Sequence, residues 1–168
     1  MTHPSTMSPW QKEAEAARAR GFRFFRWLKT LDRRRVDGLA RDIHVAVFAS
    51  VDCLACTNCC RTLKPEFRER DLQNAAAQLG LTSATLKATY LEQNAQGNWQ
   101  TNATPCPFLA PTGHCRIYAV RPGDCRDFPH TDKTSFAQRS WTHTENTATC
   151  PAVSAILERM EVRLGWKE

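Results

Sequence analysis

Apolar side chains recur every three or four positions along the first part of the chain, which is the period of an amphipathic helix. The first such segment begins at Ser8 and Pro9, where a proline suits the first helical turn, and continues to about Arg35. Gly21 is its weakest position, since glycine disfavours a helix interior. A second segment, over residues 37–50, is predicted to be helical or extended and leads towards the first cysteines.

Two further segments carry the same signal after residue 64. Pro65 opens a helical pattern that Gly80 stops, and Thr82 and Ser83 cap a second helix. The pair has the form of a helix-turn-helix, but its second helix offers Lys87 and otherwise mostly small side chains, which do not read base edges. The alternative is that these helices only support neighbouring parts of the fold.

The remaining segments differ sharply in regularity. Residues 94–105 are polar and predict a loop or a short ribbon around Trp99. Residues 106–129 contain proline and glycine so densely that no long helix or strand fits. A closing helix follows from Pro151 to Leu164, with its apolar side chains on one face. The irregular segment therefore needs a constraint other than a ladder of backbone hydrogen bonds.

Sulfur supplies a candidate for that constraint, because no helical or strand period calls for so many cysteines. Four stand within eight residues and four follow later in the chain: Cys53, Cys56, Cys59, Cys60, Cys106, Cys115, Cys125 and Cys150. The N-terminus has no apolar signal-peptide region, and no apolar run approaches the ~20 residues of a membrane span. We expect a cytoplasmic protein, whose reduced thiols bind metal; a secreted disulfide scaffold is the alternative.

Composition adds a size and a fold class. The chain has 168 residues, of which 42% are hydrophobic and 24% charged, as in an ordinary globular protein. We predict a mainly α fold: a small helical domain with irregular cysteine-rich loops stapled by metal and little or no β-sheet. Residues 1–50 are predicted to form a basic N-terminal helical arm, and residues 51–168 a cysteine-cluster metal-binding domain.

The positive charge is concentrated in that arm. Between Lys12 and Arg35 stand nine basic and three acidic side chains, and this difference of six equals the net charge of the whole chain. One interpretation is a solvated helix face that packs on the domain through its aromatic side chains. The other is a partner surface for nucleic acid or for an acidic protein, since arginine beside aromatic rings suits phosphate contact and stacking.

The order of the cysteine motifs resembles a known family. The run Cys53-x-x-Cys56-x-x-Cys59-Cys60 is followed by Cys106-Pro107-Phe108-Leu109, Cys115-Arg116-Ile117-Tyr118, Arg121-Pro122-x-x-Cys125-Arg126-x-Phe128-Pro129 and Cys150-Pro151. This string resembles the YkgJ-type cysteine-cluster family, described as zinc- or iron-chelating. The resemblance implies metal binding in a bacterial cytoplasmic protein but no reaction. Members often carry glycine where this chain has Asn58, and asparagine tolerates a left-handed turn.

The identity of the metal stays open between two arrangements. Eight thiolates fill two tetrahedral zinc sites with none left over, which favours two zinc ions per chain. However, Cys53, Cys56 and Cys59 also have the spacing that holds three irons of a [4Fe-4S] cluster, whose fourth ligand is a remote Cys-Pro such as those at Cys106 and Cys150. A related cysteine cluster in the flagellin lysine methylases is consistent with that second arrangement.

Other side chains near the cysteines are candidates for supporting roles. Four arginines follow or adjoin cysteines and could balance thiolate charge: Arg61, Arg116, Arg121 and Arg126. The histidines are weaker ligand candidates than the thiols, which already complete the count: His44, His114, His130 and His143. Asp124 and Asp127 are expected to be turn residues, because soft metal sites prefer sulfur.

Three functions are compatible with these features. The first is a structural or regulatory metal-binding module that reaches a partner through the basic arm. The second is an iron-sulfur enzyme for group transfer or redox chemistry, although no nucleophile, base or phosphate-binding loop can be named. The third is a metal store or chaperone, which would release its ion to a competing chelator without unfolding.

Overall fold

A computed structural model describes residues 9–168, with side chains from residue 15 onward. The chain forms two compact units. The cysteine unit is Val51–Phe128, and the helical unit combines the chain up to Ser50 with Pro129–Glu168. Val51 begins the cysteine unit, and residues 129–168 belong to the unit of the N-terminal helices.

Helices dominate both units. In chain order the helices and strands are α1 (Pro9–Leu28), α2 (Arg33–Phe48), α3 (Cys53–Cys56), α4 (Asn58–Thr62), β1 (Glu66–Phe67), α5 (Glu69–Gln78), α6 (Ser83–Tyr90), β2 (Leu91–Gln93), β3 (Trp99–Thr101), α7 (Gly123–Asp127), α8 (Ser140–Asn146) and α9 (Pro151–Leu164). Short 3-10 turns lie at Tyr118–Val120 and Phe136–Arg139. The predicted mainly α fold with little sheet is confirmed.

The first helix ends earlier than predicted, and the second predicted segment, over residues 37–50, belongs to the helix α2. Helix α1 ends at Leu28 and α2 begins at Arg33, so the prediction of one helix to about Arg35 was wrong. The break is stabilised by Asp32, whose carboxylate accepts a hydrogen bond from the Arg35 N–H at 2.8 Å and caps α2. Gly21 does not interrupt α1. A Cβ there would lie 3.3 Å from the Thr144 side chain, so glycine permits a close approach of α1 to α8.

The core of the helical unit is built from the apolar faces of α1, α2 and α9 and from the turn before α8. Its fully buried large side chains are Phe24, Phe25, Leu28, Val36, Phe136, Ile156 and Met160. The carboxylate of Asp37 accepts hydrogen bonds at 2.9 Å from the N–H groups of Ser135 and Phe136, which fixes that turn. Phe24 and Phe25 of α1 therefore pack inward.

The cysteine unit has a smaller core and a small antiparallel sheet. The sheet order is β1-β3-β2, with Phe67 opposite Trp99 and Leu91 opposite Thr101. The core residues are Phe67, Leu72, Ala75, Ala76, Leu86, Leu91, Cys106, Phe108 and Ile117. Cys60 and Cys115 pack against the same cluster. Three cysteines thus lie at the edge of, or within, the apolar centre of this unit.

Helices α5 and α6 form as predicted and support that core. Gly80 ends the first with a φ of 66°, and the Thr82 hydroxyl accepts from the Thr85 N–H at 3.1 Å to cap the second. Lys87, the one basic side chain of α6, lies 3.9 Å from the Glu69 carboxylate and over the Trp99 ring. The pair therefore has the supporting role that was the alternative to base reading.

No single helix among residues 9–168 has both the length and the apolar character needed to cross a membrane.

Candidate metal centre

The first two cysteines lie at the ends of a single helical turn. Helix α3 begins at Cys53 and ends at Cys56, and Asp52 caps it by accepting hydrogen bonds from the N–H groups of Leu54 and Ala55 at 2.9 and 3.1 Å. An aspartate directly before the motif is a helix-start signal that the sequence analysis did not use. The cap fixes where the Cys-x-x-Cys turn begins.

A strained residue separates this turn from the next pair of cysteines. Thr57 has a φ of 54°, a left-handed conformation that is rare for a β-branched residue. Its side chain is buried, and its hydroxyl accepts a hydrogen bond from Arg61 Nε at 3.0 Å. The prediction that Asn58 takes the left-handed position was wrong, because Asn58 already begins α4. Backbone strain of this kind concentrates at functional sites.

The second pair of cysteines joins the distant half of the motif through the backbone. Cys59 and Cys60 both belong to α4, and the Cys60 carbonyl accepts a hydrogen bond from the Cys106 N–H at 2.7 Å. Cys106 is buried, and its own carbonyl accepts from the Leu109 N–H at 2.9 Å. Segments almost fifty residues apart in the chain are thereby held together at two cysteines.

Cys115 and Cys125 are each placed by short local structure. Cys115 pairs with Leu109 in an isolated antiparallel bridge, closed by a turn at Gly113 with a φ of 83°. Cys125 lies in α7, beside Asp124, whose carboxylate accepts the Glu66 N–H at 3.0 Å. Asp124 is therefore a structural residue, as expected, and it ties α7 to the sheet.

Five thiols lie close enough to alter one another's ionisation: Cys59, Cys60, Cys106, Cys115 and Cys125. A hydrogen bond from Cys59 to Cys60 raises the pKa of Cys59 and lowers the pKa of Cys60. Burial raises the pKa of Cys59 further. Burial is the main cause of the raised pKa of Cys106, Cys115 and Cys125, and the negative charge of neighbouring thiolates raises these pKa values further. These five come from four separate segments of the chain.

The predicted arginines differ in what they contact. The positive charges of Arg121 and Arg116 oppose the burial effect and act to lower the pKa of Cys115. Arg61 bonds to Thr57 as described, and Arg126 lies 3.7 Å from the buried carboxylate of Asp71. Two of the four therefore place charge near a thiol, while the other two hold neighbouring structure.

The candidate histidines occupy other environments. His143 lies in the core of the helical unit, stacked on Phe136 at 4.4 Å and on Phe25 at 5.7 Å between ring centroids. His44, in the same unit, shares a 2.8 Å hydrogen bond between its Nδ1 and the Thr131 hydroxyl. His130 also belongs to the helical unit, and His114 lies in the turn before Cys115. Asp127 is the last residue of α7.

The eighth cysteine belongs to the helical unit. Cys150 directly precedes α9, donates its N–H to the Asn146 carbonyl at 2.7 Å and accepts from the Val153 N–H at 3.0 Å. The other seven lie in the cysteine unit. The helical start at Pro151 follows the prediction.

The donor chemistry suits a soft or borderline metal ion. Five half-buried or buried thiols with nearby arginine charge match thiolate-preferring ions, whose own charge deprotonates a coordinating thiol. No group of three or more Cys, His, Asp or Glu side chains among the described residues already has the geometry of a metal site. The residues therefore fit a thiolate-preferring metal by donor type.

A thiol-rich cluster on short, irregular elements defines the class of cysteine-rich chelating domains. The model of the CxxCxxCC family, described as a "putative zinc- or iron-chelating domain", matches residues 52–151, and the chain belongs to this family. The resemblance drawn from the motifs is thereby confirmed. No curated protein and no solved structure matches the chain.

Proposed function

We propose that this protein binds zinc through its cysteine unit and serves as a structural or regulatory module. The observation that carries the proposal is the proximity of five thiols from four segments: Cys59, Cys60, Cys106, Cys115 and Cys125. A closed, tetrahedral zinc site needs four ligands, and this set contains five thiols. Their reduced state calls for a reducing compartment such as the cytoplasm.

The surrounding residues hold these thiols in place. The hydrogen bond between the Cys60 carbonyl and the Cys106 N–H joins two ligand-bearing segments, and Asp124 joins α7, with Cys125, to β1. Zinc, when bound, supplies the positive charge that keeps buried thiolates ionised and the cross-link between segments. Arg116 and Arg121 place further positive charge near Cys115.

An iron-sulfur protein is the second candidate, favoured by one observation. Cys53, Cys56 and Cys59 stand three residues apart, which is the spacing of three cluster ligands. The strained residue Thr57 interrupts this run between its second and third cysteines. A metal store is the third candidate, and the exposure of Cys53 is the feature compatible with ready exchange.

Elemental analysis with an absorption spectrum separates these candidates. The protein is purified without oxygen and without an affinity metal. We expect zinc, one ion per chain if only the five clustered thiols take part and two if all eight do, with no visible absorbance. Iron with sulfide and a band near ~400 nm would contradict the zinc proposal and favour the cluster.

Single substitutions test the assigned ligands. Cys106→Ser is expected to lower the zinc content and the thermal midpoint together, because it removes a ligand from the clustered set. Ala76→Ser is the matched control, since it places a hydroxyl at a buried position of the same core without removing a thiol. An unchanged zinc content in Cys106→Ser would remove this cysteine from the site. Cys150→Ser tests the eighth predicted ligand in the same way.

A further inference from the structure

The basic side chains between Arg18 and Arg35 fall into two groups, of which the first is neutralised within the helical unit. Arg20 makes a two-pronged contact with the Glu161 carboxylate at 2.9 and 2.6 Å. Arg18 pairs with Glu145, and Arg23 pairs with Glu168. These three arginines are therefore engaged in holding α1 to α8, α9 and the C-terminal residues.

The second group remains exposed and without a carboxylate partner among residues 15–168: Arg26, Lys29, Arg33, Arg34 and Arg35. Lys29 donates a hydrogen bond to the Ser140 hydroxyl at 3.3 Å. Asp32 is the acidic side chain within this segment, and its carboxylate is used to cap α2. Positive charge is thus concentrated where α1 ends and α2 begins.

These charges do not stabilise the helix on which three of them lie. Arg33, Arg34 and Arg35 fill the first turn of α2, and no acidic side chain shares that turn. The positive end of a helix dipole favours anions and disfavours cations by a few tenths of a kcal/mol each. The stability of α2 therefore does not explain three consecutive arginines at its start, and a requirement outside the helix explains them better.

An exposed aromatic ring adjoins the same surface. Arg18, Phe22 and Arg26 recur at helical spacing and share one side of α1, and Lys29 directly follows the helix. Trp141 of α8 lies beside this side, with its ring 5.8 Å from the Phe22 ring and 4.7 Å from the Arg18 guanidinium. Trp141 is 62% exposed, which is unusual for so large an apolar side chain.

We propose that this surface, the arginine stripe, binds single-stranded nucleic acid. The arginine stripe consists of Arg26, Lys29, Arg33, Arg34, Arg35 and Trp141. Spaced guanidinium groups neutralise successive phosphates, and an exposed indole stacks on an unpaired base. A duplex hides its base faces and an acidic protein has none to stack, so the exposed Trp141 favours a single strand. The proposal rests on charge and on an exposed ring, and it does not depend on the zinc proposal.

Fluorescence anisotropy with labelled 15-nucleotide oligo(dT) and oligo(rU) tests the proposal on the full chain. The triple substitution Arg33→Gln, Arg34→Gln, Arg35→Gln should raise Kd by roughly tenfold or more at moderate salt and reduce the slope of log K against log salt by about 2. Trp141→Ala should weaken binding by roughly fivefold or more, with little change in the salt slope, because stacking is not a charge interaction.

A matched control distinguishes the arginine stripe from net charge alone. Arg70→Gln, Arg159→Gln, Arg163→Gln removes the same charge from exposed positions on α5 and α9 and should change Kd by less than twofold. Equal losses in both triple variants would overturn the proposal, as would an unchanged Kd for Trp141→Ala. Tighter binding of a 15-base-pair duplex or of polyglutamate than of either single strand would also contradict it.

Discussion

The helical unit and the cysteine unit reach stability by different means. In the helical unit, helices of 14 to 20 residues bury a set of phenylalanine, leucine and isoleucine side chains. In the cysteine unit the longest helix has 10 residues, and α3, α4 and α7 have only four or five each. Isolated helices so short are unstable in water, so their positions depend on what cross-links them.

The two units should therefore lose stability under different conditions. The helical unit should respond to changes in apolar packing and in the ionisation of its one fully buried histidine among the described residues, His143. The cysteine unit should respond to the presence of metal, since Cys60, Cys106 and Cys115 pack on its core and also supply thiols. Three experiments sharpen or break this comparison.

Metal removal should have the largest effect and should be confined to the cysteine unit. Binding of a structural zinc contributes on the order of 10 kcal/mol to folding, so a strong chelator should release most of that stabilisation. Amide hydrogen exchange is the measurement, because it reports each segment separately. We expect residues 106–125 to lose protection after chelation, while α2 and α9 keep theirs. Loss of protection in all of these segments together would show that the units do not differ in this way.

Acidification should destabilise the helical unit through His143. The side chain is fully buried, and neither ring nitrogen has a hydrogen-bond partner within the described residues. Burial, with added repulsion from Arg139 and His130, lowers the pKa of His143 from 6.5 to about 4. The unfolded chain therefore binds one more proton between these values. Stability is complete above pH 6.5 and falls as the pH is lowered towards 4, by on the order of 3 kcal/mol.

Urea unfolding between pH 4 and 7 measures this effect. His143→Phe should flatten the pH dependence, because phenylalanine can occupy the stack between Phe25 and Phe136 without titrating. His114→Gln, in the cysteine unit, serves as the control and should retain the wild-type dependence. A wild-type slope in His143→Phe would assign the acid sensitivity to another group.

Replacing one of two glycines by alanine should have the smallest effect on the free energy of unfolding. The sign of the effect should differ between the two units. Gly38 lies inside α2, and an added Cβ would meet nothing within 4 Å, so Gly38→Ala should stabilise by about 1 kcal/mol. Gly80 has equal space but a φ of 66°, so Gly80→Ala should destabilise by about 1 kcal/mol. Denaturant midpoints of the metal-loaded protein measure both. A change of the same sign in the two variants would contradict the backbone explanation.

Sequence reasoning succeeded where local chemistry decides the structure. Helices α5, α6 and α9 were predicted, because apolar spacing, Gly80 and the Thr82 cap are all local signals. The break before α2 was placed a few residues too late, since Asp32 stands inside a run of good helix-forming residues. The left-handed turn was expected at Asn58 and lies at Thr57, where burial and the Arg61 hydrogen bond hold it.

The candidate site was predictable as a set of residues and not as an arrangement. All eight cysteines stand out by spacing, but spacing alone cannot say which thiols meet. The proximity of Cys59, Cys60, Cys106, Cys115 and Cys125 depends on long-range contacts such as the Cys60–Cys106 hydrogen bond. The grouping of residues 129–168 with the N-terminal helices likewise depends on the packing of α2 against α9.

The continuity of Val51–Phe128 has a consequence for biosynthesis. During translation all of the cysteine unit is synthesised before Pro129–Glu168, the segment that completes the helical unit. Under the zinc proposal, the seven cysteines of this unit can therefore begin to bind metal on the nascent chain. At that stage α1 and α2 still lack α9, their packing partner in the helical unit. Metal supply at that moment, rather than after release, would then set the yield of native protein.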